Sequence, residues 1–327
     1  MKIYDLRTPA LVADVHVLEH NLDTMAAALP GRRMRPHVKA HKCTALAKRQ
    51  AAKGHVTFCC ATIREMEGMA AAGLGEDLLL ANEVLDATAL GRLDARVTVA
   101  VDSDATIEAA AKGGVKEVLI DVNVGLPRCG CDPEDAGRLA DLARARGMQV
   151  RGVMGYEGHV VGQEDRGLRV LQCEESMQLL LRAHGLAGGD IISAGGTGTY
   201  DCNIWANEIQ AGSYVLLDTS YAKLGLPFRQ GLFVWSTVIS VAPQYAVGDC
   251  GLKSLGMDHG NPSIDDADVF FCSDEHITFI PKTPVRVGDR IRVWPAHIDP
   301  TIAYHERLHL IDGEDVIDTW EIDLRGW

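Results

Sequence analysis

The stretch MRPHVKAHKC, residues 34–43, holds two histidines, two lysines and an arginine in a chain whose formal charge is -13. A lysine crowded by other cations is favoured in its uncharged form, and an uncharged lysine amine is a nucleophile able to form a Schiff base with an aldehyde. Lys39 is the candidate, and a solvated basic loop is the alternative. A second chemistry is written in SAGGTGTY (193–200) and AGSY (211–214). Gly196, Gly198 and Gly212 allow backbone N–H groups to approach an anion, and Thr197, Thr199, Ser213 and Tyr214 add hydroxyl donors. An ordinary glycine turn has the same composition.

Two further patterns concern metals. In PAHIDPT (295–301), an extended backbone would project His297 and Asp299 to one side, where an imidazole and a carboxylate could share a cation. A surface-loop pair stiffened by Pro295 and Pro300 is the alternative. HERLH (305–309) fits the HExxH zinc-protease pattern, which works only on a helix. Here it lies between TIAY and LHLIDGEDVI, whose alternation and Asp-Gly turn predict strands. In a strand His305 and His309 lie about 13 Å apart at ~3.3 Å per residue, too far for one ion.

The elements that must position these residues follow from the hydrophobic period. Short β-branched or apolar runs recur near 35–40, 56–60, 77–81, 97–101, 117–122, 150–156, 191–196 and 208–215. They alternate with helical patterns such as 44–54, 134–147 and 171–185, each closing on a glycine. This predicts a (β/α)8 barrel over 11–231, with its site at the carboxyl ends of the strands; a doubly wound open sheet is the competing arrangement. Lys39 then follows the first strand, and the glycine segments follow the seventh and eighth, where barrels of this kind often bind phosphate. A lysine facing a phosphate cup is the layout that pyridoxal 5'-phosphate requires. From Leu232 onward short alternating strands replace the helices, so 232–327, joined by 1–10, predict a mostly β domain.

Composition narrows the partners. With 47% hydrophobic residues the chain can bury a full core, and a sequence pI near 5.3 argues against nucleic acid. No apolar run reaches the ~18 residues of a membrane span, and MKIYDLRTPALV lacks a secretory pattern. The nine cysteines lack zinc-knuckle spacing and are expected to stay reduced in a cytoplasm.

RPHVKAHK, VNVGLPRCG (122–130), GGTGTY, AGSY and PAHIDPT occur in one order along nearly the whole chain. Together they resemble the alanine-racemase-like pyridoxal-phosphate enzymes, specifically the D-threonine aldolase and D-serine dehydratase group. The resemblance implies that Lys39 carries the cofactor and that Arg128 lies near its phenolic oxygen, while the glycine segments hold its phosphate. It places Tyr156 beside the ring nitrogen and makes His159 a base, although GYEGH (155–159) departs from the group's usual form, in which the histidine lies further along. It also implies a homodimer acting on a small β-hydroxy-D-amino acid. A divalent metal at His297 and Asp299 completes the site, with Mn2+ or Mg2+ favoured by the carboxylate and Zn2+ compatible. Retro-aldol cleavage to glycine and an aldehyde is the implied reaction. The alternatives are a 3-hydroxy-D-aspartate aldolase, a dehydratase and a non-catalytic carrier of the cofactor.

Overall fold

The computed structural model describes all 327 residues, which fall into two compact units. One unit comprises Met25–Lys39, Leu46–Gly212 and Leu324–Trp327. Its sheet has seven parallel strands in chain order: Thr57–Cys60, Asp77–Leu80, Val97–Val101, Glu117–Asp121, Gln149–Met154, Ile191–Ala194 and Glu208–Ile209. Apart from the charged residues toward their amino ends, these strands are largely apolar and almost wholly buried, the pattern of a parallel sheet covered by helices. One inward layer takes Cys59, Leu79, Ala100, Leu119 and Met154, a residue from each of five successive strands. Helices Ile63–Ala71, Asp104–Lys112 and Arg166–Ala187 begin at Thr62, Ser103 and Asp165, whose side chains accept the backbone N–H groups of Glu65, Thr106 and Leu168.

Two of the expected strands are shorter than their sequence runs. Residues 35–40 form no continuous strand. Met34 bridges Ile209 and His37 bridges Cys59, both in parallel, before a 3-10 turn over Val38–Ala40. This segment therefore touches both edge strands of the seven-stranded sheet, and a (β/α)8 barrel is realised only to that extent. The run 208–215 keeps only Glu208–Ile209 as strand, then becomes a 3-10 turn at Ser213–Val215.

The other unit comprises Met1–Thr24, Ala40–Ala45 and Ser213–Asp323. Where the alternating pattern predicts a mostly β domain, it carries a nine-stranded sheet, antiparallel except where Ala10–Asp14 pairs with Arg307–Asp312. Six strands close on themselves, because Ala246–Gly248 pairs with both Ile277–Pro281 and Leu232–Val241. Ile3, Leu6, Val12, Phe233, Trp235 and Ile311 pack as its core. TIAY, expected as strand, lies in the helix Ile298–Tyr304. Pro300 reads as a breaker, but in the first turn of a helix its missing N–H costs nothing. No helix is long and apolar enough to cross a membrane, and all nine cysteines are free thiols.

Candidate active site

The backbone around Lys39 is fixed on both sides. Arg35 N donates to Ile209 O at 2.9 Å and Cys59 N to Pro36 O at 2.9 Å, after which the 3-10 turn carries Lys39 past the carboxyl ends of the neighbouring strands. Its side chain is half-buried and in no ion pair, and Nζ stands 5.7 Å from the centroid of the Tyr156 ring. The expected ring of cations is broken by Arg35. That side chain runs back into the interior, with Nε 2.8 Å from Glu208 and Nη1 3.1 Å from Asp77. A buried guanidinium needs carboxylates, and the strand starts supply them.

Tyr156 follows the strand Gln149–Met154 and presents its ring to Arg128 as well, the guanidinium carbon lying 5.4 Å from the centroid. Its neighbour Glu157 is fully buried and holds the glycine loop in place. The Glu157 carboxylate accepts from Gly195 N at 3.1 Å, Thr199 Oγ1 at 2.8 Å and Asn203 Nδ2 at 3.1 Å. Gly195 takes φ +85 and a Cβ on Gly198 would lie 1.7 Å from Val161 O, so the loop needs its glycines. Thr197 and Thr199 are buried within it, and the Thr199 hydroxyl, expected as an anion donor, is engaged with Glu157. Gly196 leaves just enough space for the Tyr156 ring, since a Cβ there would lie 3.4 Å from Cε2. His159 is exposed on the following turn and packs over Gly125, where a Cβ would come within 2.8 Å of Cε1. At the end of Glu117–Asp121, burial pushes the Asp121 carboxyl well above its ordinary range; Glu83 adds to the rise and Arg128 opposes it.

In the other unit, the segment 295–301 is not extended. His297 is the N-cap of Ile298–Tyr304 and Asp299 sits in its first turn, where a carboxylate faces the positive end of the helix. The two side chains nonetheless converge, with His297 Nε2 3.9 Å from Asp299 Oδ1. Ser213 Oγ, expected as an anion donor, donates to that same Oδ1 at 3.2 Å. Tyr214, beside it, is fully buried against Phe228. Asp218 secures the helix start by accepting from Ile298 N at 3.2 Å, and burial raises this carboxyl to about 6.

Sequence reasoning missed the companions of His297. Asp258 Oδ2 lies 2.7 Å from His297 Nδ1, and the His259 ring stacks on His297 at 3.9 Å between centroids. Asp258, His259 and His297 offer three ligand atoms within 4.8 Å of one another. The Asp-His-Gly run at 258–260 was the available signal, but nothing in the chain order ties it to residue 297. HERLH holds no such cluster. His305 caps the helix and contacts Ser254 O at 3.0 Å, while His309 lies in the strand Arg307–Asp312 and contacts Thr319 Oγ1 at 2.9 Å.

Residues 13–219 match the family model of the alanine racemase N-terminal domain, and residues 231–311 match that of a putative serine dehydratase domain. The chain belongs to the alanine-racemase-like family of the D-threonine aldolases and D-serine dehydratases. This member is 33% identical to the D-threonine aldolase of an Arthrobacter species and 32% identical to the 3-hydroxy-D-aspartate aldolase of Paracoccus denitrificans. Each alignment covers 98% of this chain and 93% of the relative. Among solved structures, the D-threonine aldolase of Filomicrobium marinum matches with a TM-score of 0.95 and 30% identity, over 100% of this chain and 98% of that one. The relatives at 30% identity or more named here are aldolases, and this family member is an aldolase-type enzyme.

Proposed function

We propose that the protein is a pyridoxal 5'-phosphate- and divalent-metal-dependent lyase that cleaves β-hydroxy-D-amino acids of the D-threonine type to glycine and an aldehyde. The observation that carries this reading is the state of Lys39: a half-buried lysine with no ion pair, past the strand ends, over an aromatic ring. An amine without a carboxylate partner remains available to a carbonyl. In this reading Lys39, Arg128 and Tyr156 hold the cofactor ring. Gly196, Thr197, Gly198 and Gly212 supply its phosphate site, while Thr199 braces that loop through Glu157 and the Ser213 hydroxyl is turned to Asp299, and residues 34–37 serve as the eighth stave of the barrel.

The cofactor supplies an electron sink for breaking the bond between Cα and Cβ, and a Mn2+ or Mg2+ ion acts as a Lewis acid toward the β-hydroxyl. The chain's own residues do the rest. Lys39 is covalently available at Nζ, and Tyr156 sets the plane against which a flat ring would lie. In this reading the exposed imidazole of His159, on the turn after Tyr156, moves a proton. His297 Nε2 and Asp299 Oδ1 would hold the ion through one nitrogen and one oxygen, a small donor set of the kind catalytic sites use. We also propose a homodimer, which sedimentation of an active monomer would contradict.

Incubation with D-threonine and with 3-hydroxy-D-aspartate tests the reading. Glycine together with acetaldehyde or glyoxylate is expected, abolished by chelation and restored by Mn2+. A 2-oxo acid with ammonia would replace cleavage by dehydration, and no product would leave a carrier.

A further inference from the structure

We infer that Asp258 and His259 are not metal ligands but positioning residues that aim the His297 ring, so that the cation is held between His297 Nε2 and Asp299 Oδ1. This rests on the metal-dependent reading above and divides four converging side chains into two that hold the ion and two that orient them.

Three geometric facts carry it. First, Asp258 Oδ2 lies 2.7 Å from His297 Nδ1. A carboxylate at that distance accepts the Nδ1 proton, which fixes the tautomer and leaves the lone pair on Nε2; an imidazole bound to a metal is commonly oriented this way. Second, the His259 and His297 rings are 5° from parallel with centroids 3.9 Å apart. An ion lies in the plane of the imidazole that binds it. One ion cannot lie in two parallel planes at stacking separation, so His259 cannot share the ion of His297. Third, Nε2 faces Asp299 Oδ1 across 3.9 Å, close enough that one cation could be reached by both atoms. Ser213 Oγ donates to that same Oδ1 and orients the carboxylate.

The turn that bears Asp258 and His259 is registered on the helix by backbone contacts. Gly256 pairs with His297 as an antiparallel bridge, and Gly256 N donates to Thr301 Oγ1 at 2.8 Å. A Cβ on Gly256 would lie 2.3 Å from Pro300 Cγ, so only glycine permits this approach. Asp258 itself is exposed, with 56% of its side chain accessible. Its carboxylate contact is with the Nδ1 edge of the His297 ring, and its effect reaches the ion through the ring it orients.

The test is Mn2+ binding, followed by the electron paramagnetic resonance of the free ion, on the protein carrying its cofactor. Asp258→Ala should weaken Mn2+ about 10- to 100-fold. Asp258→Asn, whose amide oxygen still accepts from Nδ1, should stay within a few-fold of wild type, and His259→Ala should cost about two- to tenfold through the lost ring contact. Asp299→Ala should abolish tight binding. Nitrogen-15 spectra of histidine should show His297 protonated at Nδ1 in the wild type and in Asp258→Asn, and as mixed tautomers in Asp258→Ala. If Asp258→Asn loses as much affinity as Asp258→Ala, or if Asp299→Ala binds Mn2+ normally, the inference is overturned. A wild-type protein that binds no Mn2+ would instead overturn the metal-dependent reading itself.

Discussion

The two ends of the same parallel strands treat charge in opposite ways. At the amino ends, Asp77 begins its strand and meets Arg151 through Nη1 and Nη2, both at 2.8 Å, and Arg35 at 3.1 Å. Arg35 also lies 2.8 Å from Glu208, the first residue of another strand, and Glu117 takes Arg96 in a forked pair at 2.9 to 3.1 Å. At the carboxyl ends, Lys39 and Arg128 share only the ring of Tyr156, and Asp121 is driven toward its neutral form. Buried charge that is fully paired fixes a fold; charge left short of partners remains free to bind something else. In barrels of this class the amino face serves stability and the carboxyl face chemistry, and the distribution of ion pairs in this sheet follows that division.

The difference predicts that substitutions at the two ends separate activity from stability. The largest effect belongs to the carboxyl end. His159→Ala should lower the cleavage rate about 10²- to 10⁴-fold, the range of a lost proton-transfer group, with little change in melting temperature. Gly125→Ala should follow in the same direction, because its Cβ would collide with the His159 ring and φ +123 disfavours any side chain. An unchanged rate in both variants would take His159 out of the reaction.

At the amino end the loss should appear as stability. Asp77→Ala leaves Arg35 and Arg151 short of a buried partner and should cost about 3–5 kcal/mol in denaturant unfolding, without altering the binding of cofactor by the protein that remains folded. Burial alone would raise the Asp77 carboxyl, but its Arg151 hydrogen bonds and the Arg35 charge outweigh burial and hold it well below the ordinary range. A depressed carboxylate stabilises the fold above its unfolded-state pKa, and that contribution is lost as pH falls through the folded value. Unfolding free energy should therefore decline below about pH 4, and Asp77→Asn should flatten that decline. An acid profile identical in wild type and Asp77→Asn would show that the network does not govern acid stability.

A smaller effect is expected in the antiparallel unit. Ser213→Ala removes one hydrogen bond to Asp299, worth about 0.5–1.5 kcal/mol, so Mn2+ affinity should fall by two- to about tenfold. A larger loss would make Ser213 a ligand in its own right.

The sequence was most legible where local pattern and tertiary structure agree. The near-continuous apolar runs at 77–81, 97–101 and 117–122 became buried parallel strands to within a residue, because such runs satisfy a covered sheet and little else. The alternation after Leu232 likewise announced antiparallel strands. Misreadings arose where one residue serves two structures. The two prolines at 295 and 300 suggested an extended loop, yet the second fits a helix's first turn. Arg35 looked like a neighbour of Lys39 and instead points inward to carboxylates that lie 42 and 173 residues away in the chain. Asp258 and Glu157 went unnoticed because their roles depend on partners such as His297 and Asn203, joined only by folding.

The central claim is that the reactive lysine at the carboxyl ends is Lys39, and borohydride tests it most directly. The purified protein should be yellow, and reduction should bleach it while fixing the cofactor to one peptide whose fragmentation places the added mass on Lys39. Lys39→Ala should be colourless and unlabelled. Label on Lys42 instead, or a Lys39→Ala protein that is still yellow and still labelled, would contradict the account.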